Sequence, residues 1–139
     1  MIDTSALIHH LAHVGDGSID IHARTRVWQF ASIIRGAKIG RECSIGSCSI
    51  VDGARIGDGC LIGHGAFIGP GVVIEDGVFI GPNVTVCNDA WPSTSKDGFD
   101  MAGLVSGEIV TVRIMDGASI GAGAIVLPGV SIGLRAMIA

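Results

Sequence analysis

From Ile39 almost to the end of the chain, an aliphatic residue recurs at every sixth position, with a small residue two places before it. The frame reads Ala37-Lys38-Ile39-Gly40 and Cys43-Ser44-Ile45-Gly46, then slips by one residue. It resumes at Ala54-Arg55-Ile56-Gly57, Cys60-Leu61-Ile62-Gly63, Ala66-Phe67-Ile68-Gly69, Val72-Val73-Ile74, Val78-Phe79-Ile80-Gly81 and Val84-Thr85-Val86. After a gap it returns as Val112-Arg113-Ile114, Ala118-Ser119-Ile120-Gly121, Ala124-Ile125-Val126, Val130-Ser131-Ile132-Gly133 and Ala136-Met137-Ile138. Looser beats at Ile8, Val14, Ile21, Val27 and Ile33 carry the pattern toward the N-terminus. A period of six with this composition predicts a parallel β-helix, hence an all-β chain. Each hexad supplies a short strand, whose alternation turns the aliphatic residue and its small partner inward, and a corner. The Gly after the aliphatic residue is expected to open the corner by tolerating positive φ. Three hexads close one triangular coil, so the beats predict roughly six coils and about 30 Å of prism height at strand spacing.

One break is large. Val86 closes a coil and Ile114 reopens one, leaving an insertion from about Asn88 to Ile109 that departs from a corner of the prism. It carries Trp91, Pro92, Asp97, Phe99 and Asp100. Loops of this length on a compact scaffold are more often functional than not.

Composition narrows the class. A chain of 139 residues reads as one domain, residues 1–139 with the insertion at about 88–109. The 22 glycines and 4% aromatic content suit a narrow aliphatic core with many tight turns. No apolar run is long enough to span a bilayer, and Met1 to His10 lacks the basic-then-apolar pattern of a signal peptide. A net charge of −4 without a basic cluster argues against nucleic acid, and the aromatics are too few to stack bases. The expectation is a soluble cytoplasmic protein. Four cysteines fit that compartment. Cys43 and Cys60 fall at inward positions in one column on adjacent coils, where parallel side chains read as core fillers rather than a disulfide. Cys48 and Cys87 show no metal-ligand spacing.

Several segments carry a resemblance beyond the bare repeat. They are Val27-Trp28-Gln29-Phe30 leading into Arg35-Gly36-Ala37-Lys38-Ile39-Gly40, then Val78-Phe79-Ile80-Gly81-Pro82-Asn83-Val84, Cys87-Asn88-Asp89-Ala90-Trp91-Pro92 and Asp116-Gly117-Ala118-Ser119-Ile120-Gly121-Ala122. In these the chain resembles the left-handed β-helix acyltransferases. It is most similar to those that N-acetylate nucleotide-linked amino sugars such as dTDP-3-amino-3,6-dideoxyhexoses. Left-handedness is implied by the resemblance, since parallel crossovers are normally right-handed. So are acetyl-CoA as acyl donor without a required metal, a homotrimer with active sites between subunits, and a role in surface polysaccharide (O-antigen or S-layer glycan) biosynthesis. Two departures stand out. Ser93 follows the corner proline where relatives often carry Arg, and the chain ends at Ala139 where relatives usually continue.

Acetyl transfer to an amine needs orientation, a donor for the developing oxyanion and a destination for a proton. A sugar amine titrating near 8 is partly a free nucleophile at neutral pH, so a general base is useful without being obligatory. Asn88 and Asp89 open the insertion and are the first catalytic candidates on the resemblance: Asn88 to bond the amine or the thioester oxygen, Asp89 to hold the ammonium and accept its proton. On their own they also read as ordinary turn residues. His64, between Gly63 and Gly65, is a candidate base or an exposed corner histidine, on a different prism edge from Asn88. Many hexapeptide acetyltransferases of other subfamilies carry a catalytic His on this loop; the insertion here holds none, which on the resemblance implies an amine acceptor rather than a hydroxyl. His9, His10 and His13 read as a solvated end, and His22 has no visible partner. Trp28 falls outside the core and reads as trimer packing or a nucleotide stack. Trp91 and Pro92 join it as candidate substrate contacts. In similar enzymes coenzyme A lies along the prism against small residues after the loop, which implicates Ser119, Gly121, Ala122, Gly123 and Ala124, with Arg135 for a phosphate.

Two other classes share the scaffold. A γ-type carbonic anhydrase needs three histidines around zinc, and no His follows His64. A non-catalytic or truncated β-helix trimer would show the repeat without turnover.

Overall fold

The computed structural model describes residues 1–139 and contains nineteen short strands and one helix, α1 (Met101–Ser106). The strands form three parallel sheets. The first holds seven strands, from Leu7–Ile8 to Met137–Ile138, and the second six, from His13–Val14 to Ile125–Val126. The third holds six, from Asp20–Ile21 to Ser131–Ile132. Successive strands go to successive sheets, so every third strand pairs and the chain winds as a triangular prism. Ile2 adds a bridge to Ile21 below the first full coil.

The register stacks aliphatic residue on aliphatic residue. In the first sheet Ile45, Ile62, Ile80, Ile120 and Ile138 lie in line. In the second, Val51, Ile68, Val86 and Val126 do the same. The core is therefore a column of branched side chains with almost no exposure, joined by the small partners Ala37, Cys43, Ala54, Cys60, Ala66 and Ala118. Burying each Ile contributes about 1.5–3 kcal/mol. Cys43 and Cys60 are free, buried thiols that donate to the Gly57 and Glu75 carbonyls. Contact with Cys43 and burial hold the Cys60 thiol protonated.

The corners correct one expectation. The Gly that follows the aliphatic residue does not adopt positive φ. Positive φ falls two residues later, and there Arg24, Phe30, Glu42, Cys48, Asn83 and Arg135 adopt it as well as glycines. The first Gly is needed for a close approach instead. A Cβ on Gly57 would lie 2.3 Å from Asp76 Oδ1. That oxygen accepts the Asp58 amide at 2.7 Å, Asp58 Oδ1 accepts the Arg41 amide at 2.9 Å, and Asp116 Oδ1 accepts the Asp76 amide at 2.8 Å. Along the edge between the third and first sheets, Asp58, Asp76 and Asp116 thus each satisfy a backbone donor one coil below.

The insertion leaves after Val86 and rejoins at Val112–Ile114 without disturbing the register, since that strand pairs directly with Val72–Ile74. Its middle folds into α1, a helix missing from the sequence expectation. Asp100 caps it by accepting the Gly103 amide at 2.9 Å, and Gly107 ends it in the left-handed conformation. The helix lies back along the edge between the second and third sheets. Leu104 is buried over Gly71, Val105 rests on Gly36 and Gly53, and Arg55 Nη2 donates to the Ser106 carbonyl at 2.7 Å.

Beneath that edge lies Asp52, only 8% exposed, with Arg35 Nε 3.2 Å from its Oδ1. Oδ1 is buried without a well-formed hydrogen bond. Burial raises the Asp52 pKa, against a smaller opposing pull from Arg35. A carboxyl whose folded pKa exceeds its unfolded value stabilises the fold at low pH, and that contribution is lost as pH rises through the folded value. Asp52→Asn is therefore expected to stabilise the protein at neutral pH. The advantage should vanish near pH 3, where both states hold the proton. Urea unfolding at the two pH values measures this, and a destabilised variant at neutral pH would show that the Arg35 pair dominates.

Candidate functional site

The three edges of the prism hold different chemistry, and they divide the candidate residues among them. The edge between the second and third sheets holds the start of the insertion. Asn88 is half-buried, with its Oδ1 2.7 Å from where a Cβ on Gly69 would sit. Asp89 follows. Its Oδ1 accepts the Trp91 amide at 3.1 Å, a turn stabilised by the side chain, and its Oδ2 lies 2.8 Å from Lys96 Nζ. The Lys96 contact, with help from the Trp91 amide, lowers the Asp89 pKa below the ordinary carboxylate value. The carboxylate thus already holds an ammonium and is a weaker proton acceptor than a free Asp. Trp91, 90% exposed, and Pro92 project outward from this turn. Lys96 also lies over the Phe99 ring, 5.0 Å from its centroid.

The edge between the first and second sheets holds His64. Stacked along it are Trp28 and Gln29, Ser47, His64, Pro82 and Ala122, linked by amides that donate from one coil to the next: Gly65 to Ser47, Asn83 to His64 and Gly123 to Pro82, each at 2.9 Å. Ser119, Gly121, Ala122, Gly123 and Ala124 therefore share this edge with His64, two coils above it. A groove of about 500 Å³ opens here, lined by Trp28, Ser44, Ser47, Leu61, His64 and Pro82 among others. Trp28 is 40% exposed and donates its indole N–H to Ser44 Oγ at 3.1 Å. His64 Nδ1 accepts the Ser47 amide at 2.9 Å.

The third edge holds Arg135, whose side chain packs over Gly117. The structure thus brings His64, Trp28 and the small residues after the insertion to one edge. It places Asn88, Asp89, Trp91 and Pro92 on a second and Arg135 on a third. Lys96, the partner of Asp89, was missed by sequence reasoning; its only signal was a cation seven positions from the acid. The His9 and His10 rings stack with centroids 4.5 Å apart, and no three His, Cys, Asp or Glu side chains converge on one point.

The outward residues differ by face. The third sheet presents Asp20, Lys38, Arg55 and Arg113, with Lys38 paired to Asp20 at 2.9 Å and Arg113 to Glu75 at 3.1 Å. The first and second sheets instead present exposed Leu61, Phe79, Ile50 and Ile125 on either side of the His64 edge.

Comparison with known proteins agrees with the repeat. Residues 53–88 match the family described as bacterial transferase hexapeptide (six repeats), and residues 111–139 match the hexapeptide repeat of succinyl-transferase. No curated protein sequence matches the chain. Among solved structures, the chain is similar to PerB from Caulobacter crescentus in complex with CoA and GDP-perosamine, with 20% identity and a TM-score of 0.51 over 95% of this chain and 50% of that one. It is also similar to LpxA, a UDP-N-acetylglucosamine acyltransferase from Bacteroides fragilis, with 15% identity and a TM-score of 0.45 over 99% of this chain and 70% of that one. The chain spans about half the length of PerB. In its repeats and its winding the chain is a left-handed parallel β-helix.

Proposed function

We propose that this chain transfers an acetyl group from acetyl-CoA to the amino group of a nucleotide-activated amino sugar, in the cytoplasm and for surface polysaccharide assembly. The observation that carries the reading is the Asn88-Asp89-Ala90-Trp91-Pro92 turn, which heads an ordered insertion on a transferase-type hexapeptide prism. The likeness to PerB, a structure bound to CoA and GDP-perosamine, supports it. In this reaction the amine nitrogen bonds to the thioester carbonyl carbon, the C–S bond breaks, and the amine proton ends on the departing thiolate. No strong base is then needed, which suits an Asp89 already engaged by Lys96. Asp89 and Lys96 form a pair that an incoming sugar amine can enter by displacing Lys96.

The candidates lie on separate edges of one prism, so a complete site requires a neighbouring subunit. The apolar residues Leu61, Phe79 and Ile50 flanking the His64 edge suit packing of prism against prism in a homotrimer.

The test is coenzyme release from acetyl-CoA with a panel of dTDP-, UDP- and GDP-linked amino sugars, alongside the solution mass. Turnover with one member and a trimeric mass is the expected result. A folded chain that neither turns over any member nor binds acetyl-CoA would be a β-helix scaffold instead.

A further inference from the structure

We infer that His64 works as a fixed hydrogen-bond donor in the groove beside Trp28, presenting Nε2–H to a carbonyl oxygen of the bound acyl donor, and does not act as a general base. The inference deepens the acetyl-transfer reading and rests on it for the identity of the ligand.

Along the edge between the third and first sheets, Asp58, Asp76 and Asp116 each turn an oxygen toward the coil below and accept its corner amide at 2.9, 2.7 and 2.8 Å. His64 occupies the matching position on the next edge, and its Nδ1 accepts the Ser47 amide at 2.9 Å. A backbone amide can only donate, so Nδ1 must carry the lone pair. In the neutral ring the proton then sits on Nε2. A general base needs a free lone pair toward the substrate. Here one nitrogen is occupied by Ser47 and the other carries hydrogen, so the ring offers the groove a donor.

The groove suits a neutral acceptor. Trp28, Leu61 and Pro82 supply apolar walls, Ser44 and Ser47 supply hydroxyls, and none of its lining residues is charged. A phosphate would find no cation there, whereas a thioester or amide carbonyl needs only a donor against an apolar wall. A donor held rigidly by a second hydrogen bond is also the arrangement that stabilises a developing oxyanion.

Three readouts on the full chain test this. In ¹⁵N-histidine-labelled protein, with His64 identified by its loss in His64→Asn, long-range ¹H–¹⁵N spectra should show the neutral Nε2–H tautomer. An Nδ1–H tautomer or an exchanging mixture would overturn the inference whether or not the protein is an acetyltransferase. Adding acetyl-CoA should move the His64 Nε2 resonance, and saturation with no movement removes the carbonyl contact. In turnover, His64→Ala should lower kcat about 100-fold with a smaller change in KM. His64→Asn can accept from Ser47 through Oδ1 and donate through Nδ2, so it should recover roughly tenfold of that loss. An Asn variant as slow as the Ala variant would restore the base. A wild type that binds acetyl-CoA without turnover would sink the acetyl-transfer reading while the tautomer still stood.

Discussion

Asn88→Ala should lower acetyl transfer by about 100-fold while leaving the fold intact. Asn88 heads the insertion at the point where it leaves the prism, with its side chain half-buried against Gly69. It does not cap α1, which Asp100 does, and it contributes nothing to the strand ladder. The loss of stability should therefore stay at about 1 kcal/mol or below. A polar amide on a rigid corner is suited to hold an amine or a thioester oxygen in place, and removing one such donor costs catalysis far more than folding. Asp89→Ala is a less clean probe, because it also releases Lys96 and the Trp91 amide and so loosens the turn. Coenzyme release at saturating acetyl-CoA measures the effect. A wild-type rate in Asn88→Ala would take this residue out of the mechanism.

Gly63→Ala should be among the most damaging small substitutions in the chain. An added Cβ would lie 2.5 Å from the Pro82 nitrogen and 2.6 Å from the Gly81 carbonyl carbon. Both are backbone atoms of the next coil, and that coil is held down by the Gly63 amide donating to the Ile80 carbonyl at 2.8 Å. Neither side can yield by changing a rotamer, so the coils must part or the corner must buckle. The expected cost is about 3 kcal/mol, at the upper end for an inserted methyl. Gly59→Ala is the control. It has open space around it but φ of +65°, and should cost about 1 kcal/mol from conformation alone. Urea unfolding of the two variants separates the effects. Equal stabilities would mean that coil spacing is far more elastic than the amide ladder suggests.

The strands and the core were legible because one large inward residue per hexad leaves no other phase in which Ile56, Ile62, Ile68, Ile74 and Ile80 can all be buried. The corners were less legible. The glycine at position 57 reads as a turn residue, whereas its role depends on Asp76, nineteen positions away in sequence and adjacent in space. Helix α1 escaped because only Gly103 and Leu104 of its six residues are buried, too few to show a helical period, although Asp100 and Gly107 mark its ends. His64 was legible as a candidate, but the choice between base and donor depends on which nitrogen meets Ser47. Asp89 reads as an acid awaiting a substrate cation until Lys96 is seen to occupy that place.

A stack of coils is close to one-dimensional, because each coil touches only the coils above and below. Such a molecule is prone to fray from its ends, one layer at a time. The insertion departs from that rule. It leaves the stack after Val86 and returns as a helix onto Gly36, Gly53 and Gly71, corners of three successive lower coils. It therefore ties layers that would otherwise communicate only through those between them. Amides along that edge should lose hydrogen-exchange protection together, in one opening event, while the terminal coils open independently.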